Sequence, residues 1–171
     1  MLIGKTIIGK NVVNLDYGRI IGQVKDLYLN EDLTELVGLN LGSTGLFSRD
    51  SYIVPIEEVT LLGEDIVLVK EETSKKIRKD VAGTGGWISR DDIQGRTIDS
   101  EGGTPIGTVD DIAIKEKGEY SVLGFVLGKI YLDGPVFENN SIARHAVLDT
   151  GEQDGKMTVN LKLAEYQVLQ V

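Results

Sequence analysis

Apolar residues recur at every second position in several short stretches of this chain. They do so at residues 37–41 (Val-Gly-Leu-Asn-Leu) and again at 123–127 (Leu-Gly-Phe-Val-Leu). Alternate residues of a strand lie on the same side of a sheet, so each stretch predicts a half-buried β-strand. We expect Val37, Leu39 and Leu41 to lie on one buried face, as do their counterparts in the second stretch.

The two stretches belong to a longer internal repeat. Residues 21–29 read IGQVKDLYL and residues 106–114 read IGTVDDIAI, so both follow the pattern I-G-x-V-x-D-[LI]-x-[LI]. Upstream, the Gly-Lys pair at 9–10 corresponds to Gly-Arg at 95–96. These collinear matches indicate that one small unit is present twice.

The shared motif spaces its apolar residues by three positions and then by two. A straight strand cannot turn all of them inward, so the spacing predicts a β-bulge at Asp26 and at Asp111, each together with the residue before it. The favoured role of both aspartates is to bond nearby backbone amides, and a carboxylate site for a metal or a partner is the alternative. We expect Gly22 and Gly107 to allow the close strand approach of a tightly bent barrel.

Three further segments complete the predicted architecture. Residues 59–69 and 147–161 each read as a hairpin, with turns at 63–65 and near 151–155. Pro55 cannot donate to a strand ladder, so its segment should be an edge strand or a strand end.

The sequence therefore predicts an all-β fold of two tandem small antiparallel β-barrels. They comprise residues 1–72 and 91–171, and a short, partly helical linker at 73–90 joins them. In the linker, Ser74 is expected to cap a helix of about two turns whose apolar face holds Ile77 and Val81.

Residues 161–171 are predicted to form a last strand or a short docking segment. They follow the second predicted hairpin and carry several apolar side chains. Their sequence favours neither possibility.

These motifs resemble the PRC-barrel family, which is named for the cytoplasmic domain of the photosynthetic reaction centre H subunit and also occurs in a ribosome maturation factor. The first repeat matches throughout, including the Val-Pro segment at residues 54–59. The second matches through Leu127 and departs at residues 142–147, where the proline segment should be. The resemblance implies a strongly bent antiparallel barrel in each repeat. It also implies adaptor-type binding to a protein or a ribonucleoprotein assembly.

Composition narrows the possible functions. The 171 residues carry a net charge of −9 with no cysteine, and the pI is about 4.6. An acidic protein is repelled by phosphate backbones, which disfavours generic nucleic-acid binding. Without cysteine there is no disulfide, thiolate metal site or cysteine nucleophile. With no signal-peptide core and no apolar run near 20 residues, we expect no membrane span and a cytoplasmic location.

No arrangement of residues points to catalysis or to a bound cofactor or metal. The lone His145 has no evident nucleophile or acid partner in the sequence. The glycine-rich segment 83–86 lacks the Lys-Ser/Thr of a phosphate-binding loop. The acidic cluster Asp149, Glu152 and Asp154 is sparser than a calcium loop. We therefore expect a protein that is not an enzyme.

The candidates for partner contact are large apolar or aromatic side chains that lie in loops or at the end of the linker: Leu46, Phe47, Trp87, Ile130, Tyr131 and Leu132. If they are exposed, they form patches suited to a protein partner. If they fold over the barrel ends they are core, which is the favoured interpretation for the loops. Trp87 is expected to pack between linker and barrel, although tryptophan is also a common interface anchor.

The only basic cluster comprises Lys75, Lys76, Arg78 and Lys79 in the linker. A solvated face is the favoured interpretation, and contact with an acidic partner, an RNA phosphate or an anionic membrane surface is the alternative. Taken together, the sequence favours a non-enzymatic adaptor with a protein partner. The alternative is a structural protein that self-associates into a homo-oligomer, including an accessory role in photosynthetic complex assembly.

Overall fold

The computed structural model describes residues 1–16, 18–116, 118–132 and 140–166. The strands are, in chain order, β1 (Leu2–Ile3), β2 (Asn11–Asn14), β3 (Ile20–Gln23), β4 (Asp26–Leu29), β5 (Leu36–Ser43), β6 (Ser51–Pro55), β7 (Val59–Leu62), β8 (Ile66–Val69), β9 (Lys76–Ile77), β10 (Ile88–Ser89), β11 (Thr97–Ser100), β12 (Pro105–Ile114), β13 (Val122–Ile130), β14 (Ser141–Ala143), β15 (Val147–Asp149) and β16 (Lys156–Val159). Two short α-helices, α1 (Arg90–Ile93) and α2 (Leu161–Tyr166), accompany them. The predicted β-rich fold is confirmed.

The strands form three sheets. In the first half, one sheet has the order β3-β2-β8-β7 and another has the order β10-β4-β5-β6-β9. In the second half, one sheet has the order β14-β13-β12-β11-β16-β15, with β1 also paired to β12. In the second half, the long strand β12 pairs with both β13 and β11 and so joins all these strands in one sheet. In the first half, the same stretch is divided into β3 and β4, which belong to two separate sheets.

Both halves use the same pairing. The ladders β2–β3, β4–β5, β5–β6 and β7–β8 are antiparallel, and so are their counterparts β11–β12, β12–β13, β13–β14 and β15–β16. Each half also contains one parallel pair, β2–β8 or β11–β16, which the antiparallel prediction did not include. Even the turns agree, because Gly9 N donates to Val24 O and Gly95 N donates to Val109 O, both at 2.8 Å.

The bulge predicted at the two aspartates is confirmed in the second half. There the register shifts from Val109↔Leu127 to Asp111↔Val126, which leaves Asp110 unpaired in β12. In the first half the strand ends instead, and the chain passes from β3 to β4. In both halves the result is as expected, because the three apolar positions of each motif are buried: Val24, Leu27, Leu29, Val109, Ile112 and Ile114.

The alternating faces are confirmed only in part. Leu39 is fully buried and Leu41 packs against the core, but Val37 is only half-buried. The register explains this, since it shifts from Tyr28↔Gly38 to Leu29↔Leu36 and thereby skips Val37. The bulge turns Leu36 inward in place of Val37.

The predicted linker helix is wrong. The backbone at Ile77 is extended and pairs through β9 with β6, and a single 3-10 turn follows at Arg78–Asp80. A short isolated helix is marginally stable in water, and the segment instead pairs with the free edge of β6. At the other end of the chain, Leu161–Tyr166 is helical, so a last strand over these residues is also wrong, and residues 167–171 of the predicted segment lie outside the described residues.

Both predicted hairpins are present, as β7–β8 and β15–β16. Pro55 is the last residue of β6, as expected of a strand end. The second half departs from the family motif at residues 142–147 in sequence but not in backbone. There β14 leads into a 3-10 turn at Arg144–Ala146, as β6 leads into one at Ile56–Glu58.

The two halves exchange their first strands. β1 pairs with β12 of the second half, and β10, which occupies the same place before the second repeat, pairs with β4 of the first. Two further bonds are reciprocal: Leu36 N donates to Tyr120 O at 3.1 Å, and Val122 N donates to Thr34 O at 2.7 Å. The halves are thus related by an approximate two-fold axis near these residues.

One apolar core serves both halves, since a single cluster of buried side chains contains residues from each. The domain limits 1–72, 73–90 and 91–171 stay a prediction. Among the described residues, the structure has no helix with the length and apolar character to cross a membrane.

Candidate interaction site

The loop between β5 and β6 carries the most exposed apolar side chains of the described structure. Leu46 is 98% exposed and Phe47 is 99% exposed. The expectation that they belong to the core is wrong, because neither side chain packs against the rest of the protein. We call residues 44–50 the apolar loop.

Hydrogen bonds connect residues within and at the base of the apolar loop. The Ser43 hydroxyl donates to Gly45 O at 2.6 Å, and the Thr44 hydroxyl donates to the Ser48 hydroxyl at 2.7 Å. Thr44 N also donates to Asp50 O at 3.1 Å, which closes the base of the loop. The two apolar side chains are therefore presented by a hydrogen-bonded backbone, and such restraint lowers the entropy lost on binding.

Cations surround the base of the apolar loop. Arg49 is exposed beside Phe47 and lines one hollow together with Arg78 and Lys79. Lys79 Nζ lies 3.7 Å from Asp50 Oδ2, and Lys75 Nζ lies 4.3 Å from the ring centroid of Tyr52. Part of the basic cluster predicted as a solvated linker face therefore adjoins the apolar loop, which links two features that are separate in sequence.

The structure describes residues 130–132 of the corresponding loop in the second half, and residues 133–139 lie outside the described residues. Tyr131 is 55% exposed, but its amide donates to Ile106 O at 2.8 Å, and Ile130 and Leu132 pack against the core, as favoured. At the described positions, the predicted pair of patches thus differs between the halves, since Leu46 and Phe47 are nearly fully exposed.

Trp87 packs on the first half. A Cβ atom added to Gly38 would lie 2.5 Å from Trp87 Cζ3, so the ring occupies the space that a side chain on β5 would need. Its ring centroid is 5.8 Å from that of Tyr28, and Trp87 O accepts a 2.9 Å hydrogen bond from Arg78. This position between linker and barrel agrees with the expectation.

Asp26 and Asp111 occupy equivalent positions and receive equivalent bonds. Asp111 accepts a 2.8 Å hydrogen bond from Lys5 N, and Asp26 accepts one of 3.3 Å from Asp91 N. Each donor amide lies in the turn that begins the other half. Both aspartates therefore bond backbone amides, as favoured, but the amides belong to exchanged segments rather than to the bulge alone.

Arg90 joins these aspartates in the interior and was not identified from the sequence. Its Nε donates to Asp111 Oδ1 at 2.7 Å, and both side chains are buried. Burial lowers the pKa of Arg90, but the hydrogen bond and charge of Asp111 outweigh that effect and leave it raised. Alignment of the repeats places Arg90 opposite Gly4. This difference between the two halves was the signal in the sequence that could have identified Arg90.

Asp26 is the less stabilised carboxylate. Burial raises its pKa, an effect that hydrogen bonds from the Ser89 hydroxyl and the Asp91 amide oppose. Its Oδ1 atom has no hydrogen-bond partner among the described residues. These contacts assign Asp26 to the junction between the halves.

The motif glycines mark close approaches. A Cβ at Gly22 would lie 2.9 Å from Leu41 Cδ1, and one at Gly107 would lie 2.2 Å from Lys129 O. Any side chain at Gly107 would have to displace backbone, so glycine is required there. The two positions support the bent strands, as predicted, and have no direct part in the apolar loop.

The other residues considered for catalysis or metal binding do not come together in one site among the described residues. His145 is exposed in the 3-10 turn after β14. The described ranges contain no group of three or more histidine or acidic side chains that could hold a metal ion.

Comparison with known families identifies the first half. The model of the PRC-barrel domain matches residues 2–76, a segment that begins with β1 and ends within β9. No curated protein matches the chain. That the second half is a further PRC-barrel domain stays a prediction, which the shared strand register supports. Residues 2–76 of this chain are a PRC-barrel domain.

Proposed function

We propose that this protein is a non-enzymatic binding module and that its apolar loop is the contact surface for a protein partner. The proposal rests on the nearly complete exposure of Leu46 and Phe47 on a hydrogen-bonded loop. Burial of such side chains in a partner stabilises a complex by roughly 1.5–3 kcal/mol each. Two side chains of this size are enough to dominate a small interface.

The charges beside the apolar loop indicate which charges a matching partner surface should carry. Arg49, Lys75 and Lys79 are exposed around the loop, within a protein whose net charge is −9. A partner with an apolar pocket and an acidic rim would match both features. We expect binding to weaken at high salt because such rim charges are screened. The cytoplasmic location inferred from the sequence stays a prediction.

Affinity capture with matched variants tests the proposal. The bait is the full chain in three forms: wild type, L46S/F47S, and L148S/L163S as a control that removes two exposed leucines from the second half. Extract of the native cell is cross-linked, captured and quantified by mass spectrometry. We expect wild type and control to enrich the same protein, and L46S/F47S to lose at least tenfold of it.

Equal recovery of that protein by L46S/F47S and wild type would overturn the proposal. So would a partner whose recovery falls as much with the control as with the loop variant. Circular dichroism of all three baits verifies that each is folded.

A further inference from the structure

The four-stranded sheet of the first half has an apolar row on the side that faces away from the core. Ile20, Val13, Leu68 and Leu61 are register partners in succession, so they cross β3, β2, β8 and β7 as one line. Their neighbours in the next register position, Val12, Val67 and Leu62, are buried and face the core. Paired residues share a face, so the row lies on the outer one. We call these four residues the outer row.

The second half provides an internal comparison. The same register places Pro105, Asp99, Thr158 and Asp149 where the first half has the outer row. Ile66, which lies two residues before Leu68 on the same outer face, corresponds to Lys156. Apart from Pro105, these positions are polar or charged in the second half, so the geometry of the sheet does not require an apolar row.

The outer row is exposed at its two ends and half-buried in the middle. Ile20 is 59% exposed and Leu61 is 48% exposed, with Ile66 exposed beside them, whereas Val13 and Leu68 are half-buried. Scattered apolar surface residues are normal, but a continuous row across four strands is typical of an interaction surface. The contrast with the second half shows that this surface is particular to residues 1–72.

Acidic residues outnumber cations at the ends of the strands that carry the row. Glu64 and Asp65 form the turn before β8, Glu71 and Glu72 follow β8, and Asp16 follows β2, whereas the adjacent cations are Lys10, Arg19 and Lys70. Two such faces would place acidic rims against each other, which disfavours face-to-face pairing. An apolar segment flanked by cations matches the outer row in both respects, and the apolar loop of this same chain is such a segment.

We infer that the outer row binds the apolar loop of a second copy of this chain. The contact joins different surfaces of the two copies, so it is heterologous and leaves one loop and one row free at the ends. The chain would associate head to tail. At physiological ionic strength the Debye length is about 8 Å, so the net charge of each copy is largely screened while charges in contact still attract. The inference rests on the proposed function and names its partner.

Two variants separate the two surfaces. The loop variant is L46S/F47S, and the row variant is V13D/L61D/L68T, which introduces residues that the second half holds at the equivalent positions. If the triple variant does not fold, L61D alone replaces it, since Leu61 lies on the edge strand β7. Analytical ultracentrifugation is carried out over a hundredfold range of concentration, on each protein alone and on an equimolar mixture.

We expect the wild type to sediment faster as its concentration rises, without a plateau at a fixed size. Each variant alone should remain a monomer. The mixture should form a one-to-one dimer and nothing larger, because it contains one intact loop and one intact row.

Wild type that stays monomeric throughout would overturn the inference, and so would either variant associating by itself. Failure here is distinct from failure of the proposed function. If the wild type is monomeric but L46S/F47S still loses a captured protein, the apolar loop binds another partner and only the head-to-tail assembly is wrong.

Discussion

Arg90 Nε lies 2.7 Å from Asp111 Oδ1 in the interior of the protein. Asp111 also accepts the amide of Lys5, so one carboxylate joins the turn that begins the second half to the turn that begins the first. A Cβ at Gly4 would lie 2.5 Å from the same Oδ1 atom. This junction connects the residues that directly follow the exchanged strands β1 and β10.

Removal of the Asp111 carboxylate should destabilise the whole protein. D111A leaves the buried Arg90 charge without its partner, and loss of one member of a buried ion pair costs about 3–5 kcal/mol. Chemical denaturation measures the free energy of unfolding. D110A is the control, because Asp110 is the unpaired bulge residue next to it and is only half-buried. A loss no larger for D111A than for D110A would contradict a structural role of the pair.

Asp26 should make stability depend on pH. Burial raises its pKa above 3.8, so the folded state keeps a proton that the unfolded state has released. This contribution is fully present below pH 3.8 and is lost as pH rises through the folded-state pKa. The difference between the two free energies of unfolding, D26N minus wild type, should therefore increase from pH 4 to pH 8.

The same titration on D65N supplies the control for Asp26, because Asp65 is exposed in the β7–β8 turn. The difference between D65N and wild type should change less with pH. A D26N difference that stays constant or decreases would show that Asp26 is not destabilised by burial.

Replacement of Gly38 by alanine should displace Trp87. The new Cβ would lie 2.5 Å from Trp87 Cζ3, and such overpacking costs about 1–3 kcal/mol. Trp87 is the only tryptophan, so its fluorescence reports on this site directly, and we expect emission shifted to longer wavelength. G85A is the control because nothing lies within 4 Å of a Cβ there. An unchanged spectrum for G38A would mean that the ring does not rest on β5.

The apolar loop should contribute little to folding. Leu46 and Phe47 are exposed, so L46S/F47S should change the free energy of unfolding by no more than about 0.5 kcal/mol. The fully buried Leu39 on the adjoining strand provides the contrast, since L39A should cost about 2–5 kcal/mol. A large loss of stability in L46S/F47S would mean that the loop is packed against the protein after all.

Much of the fold could be predicted because it depends on local spacing. The three-then-two spacing at Val109, Ile112 and Ile114 identified a bulge before any pairing was known. The turn at residues 63–65 identified a hairpin in the same way. Repetition of the motif strengthened both predictions, since each half served as a check on the other.

The rest could not be predicted because it depends on long-range contacts. The linker segment at Ile77 carries a helix-like apolar spacing, but the free edge of β6 draws it into a strand. The exchange of β1 and β10 leaves no mark on local sequence. The burial of Arg90 against Asp111 is also a long-range contact, and its one sequence signal is the replacement of Gly4 by Arg90 between the aligned repeats. The favoured core position of Phe47 was wrong for the same reason, because an apolar residue in a loop can pack in the core or bind a partner, and local sequence does not distinguish the two.

Photo-cross-linking from position 47 shows directly whether the apolar loop contacts a protein partner. A benzophenone amino acid replaces Phe47 in one protein and the exposed Leu148 in another, and both are irradiated in the native cell. We expect position 47 to form a specific adduct with a protein, a second copy of the chain included, and position 148 to form none. If position 47 forms no adduct beyond those of position 148, the apolar loop is not a binding surface and the proposed function is wrong.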